Sequence, residues 1–265
     1  VRIAVLYNRD IYALKALNLL LPALAEHQVG LFYSDRVGRP PVDQPATLAR
    51  LAQVERELFE TLQSGGARFL GSQQLATKYG CTDVSINDVN ETAGLERLQQ
   101  FGPDLAVSIR FGKILKPAAI AIPKQGVINL HSGLLPAYRG VMPTFWAMLR
   151  GDETIGATLH WVPDATIDTG PAIAKAEQTR ASGMSYLSEV WRLYEVGVPL
   201  IAAAVARIAK GDLTLSSTPP AAPNSESNYF TFPDAAAIEQ FEREGLQLCD
   251  AADANRITEQ LAYVT

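Results

Sequence analysis

Gly126-Val-Ile-Asn129-Leu-His131-Ser-Gly-Leu-Leu-Pro136-Ala-Tyr138-Arg139-Gly140 is the stretch on which the fold turns. An apolar run breaks off at Asn129 and His131 into a loop rich in Pro and Gly. That pattern predicts a buried strand whose end carries two polar side chains. Spaced two residues apart, they project from the same face. A helix-like patch follows at 143–149, then an alternating segment ending at His160 and a turn carrying Asp168 before Gly170. An amide, an imidazole and a carboxylate thus reach the ends of successive elements, and in open α/β sheets ligands collect at the carboxyl ends of strands. The segment from 126 to 170 reads as an active site, with the rest of the chain as its scaffold or substrate pocket.

Outward from there the same alternation of element types continues. Arg2 to Tyr7 is a nearly continuous apolar run, which suits a strand buried on both faces. Residues 11–27 place Ile11, Leu14, Leu17, Leu20, Leu21 and Leu24 at helical spacing, and 45–62 does the same with Leu48, Leu51, Val54, Leu58 and Leu62. Strands are expected at 29–33, 67–70, 104–110 and 126–130, and a hairpin-related pair at 156–162 and 171–179. Asn90 is placed to cap a helix. A long helix over 186–210 contains Gly197 and Pro199, which mark a kink or break, and Gly211 follows as its C-terminal stop. Strands and helices in this order predict an α/β fold: a Rossmann-like, mainly parallel twisted sheet with helices on both faces. Residues 1–210 form the expected catalytic domain. After 211 the composition shifts to Pro, Ser and Ala over 216–228, then to the aromatic Tyr229-Phe-Thr-Phe-Pro233, so 211–265 reads as a C-terminal extension packed on the core.

A length of 265 residues with 48% hydrophobic and 19% charged residues is ordinary for a globular chain. The net charge of -5 disfavours a nucleic-acid partner. Cys81 and Cys249 are the only cysteines, with no metal or redox spacing, so a reduced, cytoplasmic setting is the simpler expectation. The stretch from Leu14 to Ala25 is interrupted by Lys15, Asn18 and Pro22, well short of the roughly 20 apolar residues a membrane span needs. The first residues read as a strand rather than the charged start of a secretion signal.

The three histidines show no HxxxH or HExxH spacing, so no metal site is expected. The loop after the first strand, Asn8-Arg9-Asp10-Ile-Tyr12, lacks the glycines that would wrap a phosphate. Ser132 adjoins His131, but adjacency is poor geometry for a hydrolytic pair and there is no G-x-S-x-G elbow. Asp164 and Asp168 share one short loop. A carboxylate there can orient an imidazole and tune its ionisation.

Taken together, Asn129-x-His131, Ser132 to Pro136, Tyr138-Arg-Gly140, Pro143, Trp146-Ala147, Gly156-x-Thr158-x-His160 and Asp168-Thr-Gly-Pro171 resemble the folate-dependent formyltransferases. The resemblance is close over about 104–175 and looser over the first 210 residues. It implies that Asn129, His131 and Asp168 are catalytic and that 10-formyltetrahydrofolate is the formyl donor. It also implies a donor site formed by Phe111, Gly112, Lys113, Ile114 and Leu115 on one side and by Asp164 and Ile167 on the other. Formyl transfer to an amine passes through a tetrahedral oxyanion. Asn129 with His131 would stabilise it, and Asp168 would accept or relay the amine's proton.

The acceptor is less legible. The missing Gly-rich loop argues against a phosphoribosyl substrate, and the short acidic tail against the tRNA-formylating members. A small-molecule amine remains. A nucleotide-linked amino sugar is favoured by the size of that subgroup; a hydroxyornithine-type acceptor of siderophore biosynthesis and hydrolysis of formyltetrahydrofolate are the alternatives. Asn8, Arg9, Tyr138, Arg139, Trp146 and Tyr229 are the candidate acceptor contacts. Neither membrane nor nucleic acid is expected as a partner, and a homodimer stays open.

Overall fold

A computed structural model describes residues 1–35, 45–63, 70–219 and 228–262. The expected strand at 67–70 and the Pro/Ser-rich crossing at 216–228 lie largely outside those residues. The architecture begins with β1 (Arg2–Asn8), α1 (Ile11–Leu20), a short 3-10 turn (Leu21–Leu24), β2 (Gln28–Ser34) and α2 (Ala46–Gln63). Next come α3 (Ser72–Tyr79), β3 (Thr82–Ser85), α4 (Thr92–Phe101), β4 (Leu105–Ile109), α5 (Pro117–Ile120) and β5 (Val127–His131). The second half holds β6 (Arg139–Gly140), α6 (Pro143–Leu149), β7 (Thr154–Trp161), β8 (Ala172–Thr179) and α7 (Tyr186–Ala209). After residue 211 lie β9 (Tyr229–Phe230), α8 (Ala235–Arg243) and α9 (Ala251–Ala262).

Seven strands form one sheet in the order β3-β2-β1-β4-β5-β7-β8. The first five pair in parallel, and β7 and β8 add an antiparallel edge. The apolar run of β1 feeds both faces. Ile3, Val5 and Tyr7 join the core under α1 and α7, while Ala4 and Leu6 join a second core with Leu98 of α4 and Ala119 of α5. The chain leaves β1 toward β2 on one side and returns beside it as β4 on the other. The sheet therefore has its topological switch point between β1 and β4, where open α/β sheets bind ligands.

Two local expectations need correcting. Asn90 does not cap α4, whose N-cap is Glu91; instead its side chain donates to Ile114 O at 2.9 Å and accepts from Lys116 N at 2.8 Å, pinning the β4–α5 loop. The long helix α7 does not break at Gly197 and Pro199. Pro199 is exposed, so water can serve the Glu195 carbonyl that loses its helical donor. Gly197 sits where a Cβ would lie 3.2 Å from Ala157 and 3.3 Å from Leu130, so its smallness lets the helix lie close on the sheet.

Candidate active site

The period-two alternation of β5 sorts its side chains. Ile128 and Leu130 enter the core under α1 and α7, and Val127 packs with the α4–α5 core. Asn129 and His131 therefore share the α4–α5 face. The antiparallel neighbour β7 brings a third group there, because Asn129 is in register with His160. Ala157, Leu159 and Trp161 belong to the other core, which leaves His160 on the Asn129 side. Sequence spacing showed His160 only as a segment end and as part of the resemblance; cross-strand register makes it a member of the site.

Asn129 Nδ2 lies 3.1 Å from His160 Nε2, and His160 Nδ1 lies 2.8 Å from the Trp161 carbonyl. A carbonyl only accepts, so Nδ1 carries a proton, and in the neutral ring Nε2 accepts from the Asn129 amide. His131 Nε2 likewise donates to the Tyr138 carbonyl, at 2.6 Å. Asp168 closes the set. Its Oδ2 is 3.4 Å from His131 Nδ1 and its Oδ1 is 3.4 Å from His160 Nε2, with the side chain 9% exposed. The Gly140 amide donates to Oδ2 at 2.9 Å. Burial alone would raise the Asp168 pKa. The His131 charge, the hydrogen bond and charge of His160 and the Gly140 amide outweigh it, and hold the carboxyl well below its ordinary 3.8.

The backbone around these groups is strained. Among the described residues, three that are not glycine have positive φ: Arg110 at 55°, Met142 at 52° and Asp168 at 54°. Arg110 and Met142 line the cavity described below, and such conformations cluster where a site over-determines the chain. Gly170 is obligatory beside Asp168, since a Cβ there would lie 1.8 Å from the Trp161 carbonyl oxygen.

A cavity of about 500 Å³ opens at the switch point, lined by Asn8, Asp10, Glu55, Arg110, Asn129 and His131 among others. Asp10 organises its β1 side. One oxygen caps Ala13 N at 2.9 Å; the other accepts from Arg110 Nε at 2.8 Å and Asn8 Nδ2 at 3.0 Å. The Arg110 guanidinium lies over the Tyr12 ring, 4.7 Å from its centroid.

Of the expected donor-site residues, Phe111 lines this cavity, whereas Gly112, Lys113, Ile114, Leu115, Asp164 and Ile167 lie outside it. Gly112 N donates to Ser34 Oγ at 3.0 Å, and Leu115 is buried in the α4–α5 core. Ile114 is 56% exposed. Asp164 caps its own turn by accepting from Thr166 N at 2.8 Å.

Of the expected acceptor contacts, only Asn8 lines the cavity. Arg9 faces the β2–α2 side, 3.8 Å from Asp35 and 5.0 Å from the Tyr33 ring centroid. Arg139 braces the loop that carries Asp168, with Nε 3.1 Å and Nη2 2.8 Å from the Ile167 carbonyl. Phe230 stacks on both Tyr138 and Trp146, and Trp146 Nε1 donates to Thr231 O at 3.2 Å. These rings hold β9 against β6. Tyr229 is 50% exposed and carries Arg139 over its ring. Phe232, from the same aromatic segment, does line the cavity.

Among the described residues no group of three His, Cys, Asp or Glu side chains is arranged to hold a metal, and no helix is long and apolar enough to cross a membrane.

Residues 61–182 match the family model described as Formyl transferase. A methionyl-tRNA formyltransferase of Citrifermentans bemidjiense is 29% identical over 184 residues, covering 67% of this chain and 58% of that protein. The chain thus spans less than two thirds of this relative's length. Solved structures share the fold. A glycinamide ribonucleotide transformylase of Symbiobacterium toebii superposes with a TM-score of 0.61 at 19% identity, covering 83% of this chain and 93% of that one. An N-formyltransferase of Helicobacter canadensis, in complex with folinic acid and dTDP-3-aminofucose, gives 0.58 at 17% identity, covering 86% of this chain and 70% of that one.

Proposed function

We propose that this chain, whose residues 61–182 match the Formyl transferase family model, moves a formyl group from 10-formyltetrahydrofolate to the amine of a small molecule. The observation that carries this reading is the connected set Asn129–His160–Asp168–His131 at the edge of the cavity. The Helicobacter neighbour, solved with folinic acid, supports a folate donor. So does the chain itself, whose β4–α5 loop is pinned by Asn90 and presents the exposed Ile114.

Each residue has work that its contacts allow. Asn129 Nδ2 has two hydrogens. One meets His160, and the other can donate to the oxygen that gains charge as the amine attacks, a kind of donor whose loss costs about 10²–10³ in rate. Asp168 is held ionised, so its carboxylate can accept or relay the amine's proton. Its charge also orients His131 and His160 through their 3.4 Å contacts.

In this reading residues 1–210 are the catalytic domain and 211–265 are an extension whose β9 secures the Arg139–Gly140 loop. The nucleotide-linked amino sugar stands as one acceptor class. A hydroxyornithine-type amino acid is the second, supported by the carboxyl of Glu55 in the cavity wall, which can pair with an ammonium. Titration with 5-formyltetrahydrofolate tests the donor assignment. The wild type should bind it, and Ile114→Asp, at an exposed position, should weaken binding about tenfold or more. Equal binding by the two proteins would remove the β4–α5 loop from the donor site.

A further inference from the structure

Glu55 is a carboxyl group in the cavity that the formyl-transfer chemistry leaves unused. It projects from α2 into the same space as Asn129 and His131. Its Oε1 accepts from the Tyr12 hydroxyl at 2.7 Å. Among the described residues no side chain or amide is bonded to Oε2, and the Arg110 guanidinium nearby is paired with Asp10. The side chain is partly exposed, but toward the cavity, where tyrosine rings and aliphatic groups replace most of its water. Burial pushes the Glu55 pKa up to about 7, against the charge of Arg110 and the hydrogen bond from Tyr12, which lower it, and with Asp10, which raises it. A carboxylate whose nearest cation is hydrogen-bonded to another acid gains from a positively charged hydrogen-bond donor of its own.

Position adds a constraint. Asn129 and His131 point to the α4–α5 face of the sheet, whereas α2 packs into the core on the α1–α7 face. The cavity bridges the carboxyl edge between them. Glu55 and Asn129 thus meet the cavity from opposite faces of the sheet. Resting on the formyltransferase reading above, we propose that the acceptor is bifunctional: one amine is formylated at Asn129, His131 and Asp168, while a second, protonated amine of the same small molecule is received by Glu55 Oε2. Glu55 is then the specificity-determining residue, and the substrate class is a compact diamine or diamino acid. The other ionisable groups facing this end are Tyr12 and Asp10 from α1 and its start, Arg110 after β4, Arg56 on α2 and Tyr186 on α7.

Matched probes test this. Putrescine and cadaverine are compared with the amino alcohols in which one ammonium is replaced by hydroxyl, each with 10-formyltetrahydrofolate and mass detection of the formylated product. The diamines should show kcat/KM about tenfold or more above their amino-alcohol partners, the ratio that one charge-assisted hydrogen bond supplies. Glu55→Gln keeps the Tyr12 contact and should erase that ratio, with 5-formyltetrahydrofolate binding unchanged. Equal turnover of both probe types by the wild type, an undiminished preference in Glu55→Gln, or a donor-binding enzyme that formylates neither diamine would each overturn the proposal. Failure to bind the donor at all would instead overturn the formyltransferase reading on which it rests.

Discussion

Asp168 Oδ2 stands 3.4 Å from His131 Nδ1, while the opposite nitrogen of that ring is held at 2.6 Å by the Tyr138 carbonyl. The carbonyl requires a proton on Nε2, so Nδ1 meets the carboxylate favourably only when it too is protonated. Asp168→Asn removes that charge with little change of shape, and formyl transfer should fall about 10²-fold or more, measured on protein whose circular dichroism matches the wild type. The sign of the pH effect follows. A carboxyl whose folded pKa lies below the ordinary 3.8 contributes stability that is complete above that value and is lost as pH falls below it. The stability difference between wild type and Asp168→Asn should therefore be flat from neutrality down to about pH 5 and shrink in more acidic solution. A difference that grew with acidity would refute this account of the pair.

His160 sets the amide of Asn129. With its Nε2 accepting from Nδ2 at 3.1 Å, the ring fixes which way Asn129 points its remaining hydrogen. His160→Leu fills the space without an acceptor. A misplaced reactive geometry can cost ~10²-fold, so kcat should drop by that order while donor affinity stays near wild type. An unchanged kcat would show that Asn129 needs no such guide.

Arg139 separates bracing from recognition. Its fork closes on the Ile167 carbonyl, one residue before Asp168. Lysine keeps the charge and loses the planar fork. If bracing is its role, Arg139→Lys should lower kcat about tenfold with the acceptor KM unaltered; a rise in KM at constant kcat would return Arg139 to the acceptor contacts.

Gly140 ties the tail to the loop after β5. Its φ is 92°, and a Cβ there would lie 2.2 Å from the Phe230 carbonyl oxygen, across the β6–β9 pair. Gly140→Ala should cost about 1–3 kcal/mol in chemical denaturation. Because the Gly140 amide also donates to Asp168, activity should fall further than stability alone accounts for. Full activity in a folded Gly140→Ala protein would detach β9 from the chemistry.

The elements legible in the sequence were those with local signals. Continuous apolar runs announced β1, β4 and β5, and helical spacing announced α1, α2 and α7. Asn129 and His131 were visible because a strand's period is two. His160 was not separated from the strand that carries it, because its partnership depends on antiparallel register with a residue 31 positions away. Asn90 looked like a cap because an Asn beside acidic residues usually is one, yet tertiary contact with Ile114 and Lys116 claims it. Glu55 was hidden as one charge among several on an amphipathic helix; only folding turns it toward Tyr12 and the cavity. The short helix α3 and the edge strand β3 carry few apolar residues, and α9 follows a stretch with no strong start signal.

The central claim is that donor consumption is coupled to an amine. Purified protein with 10-formyltetrahydrofolate, followed for donor loss and for formylated product by mass spectrometry, tests it with and without a panel of small amines. The expected result is donor loss that requires an amine and matches product one for one, and that falls about 10²-fold or more in Asn129→Ala. Donor loss at the same rate without any amine would make the protein a hydrolase and contradict the account.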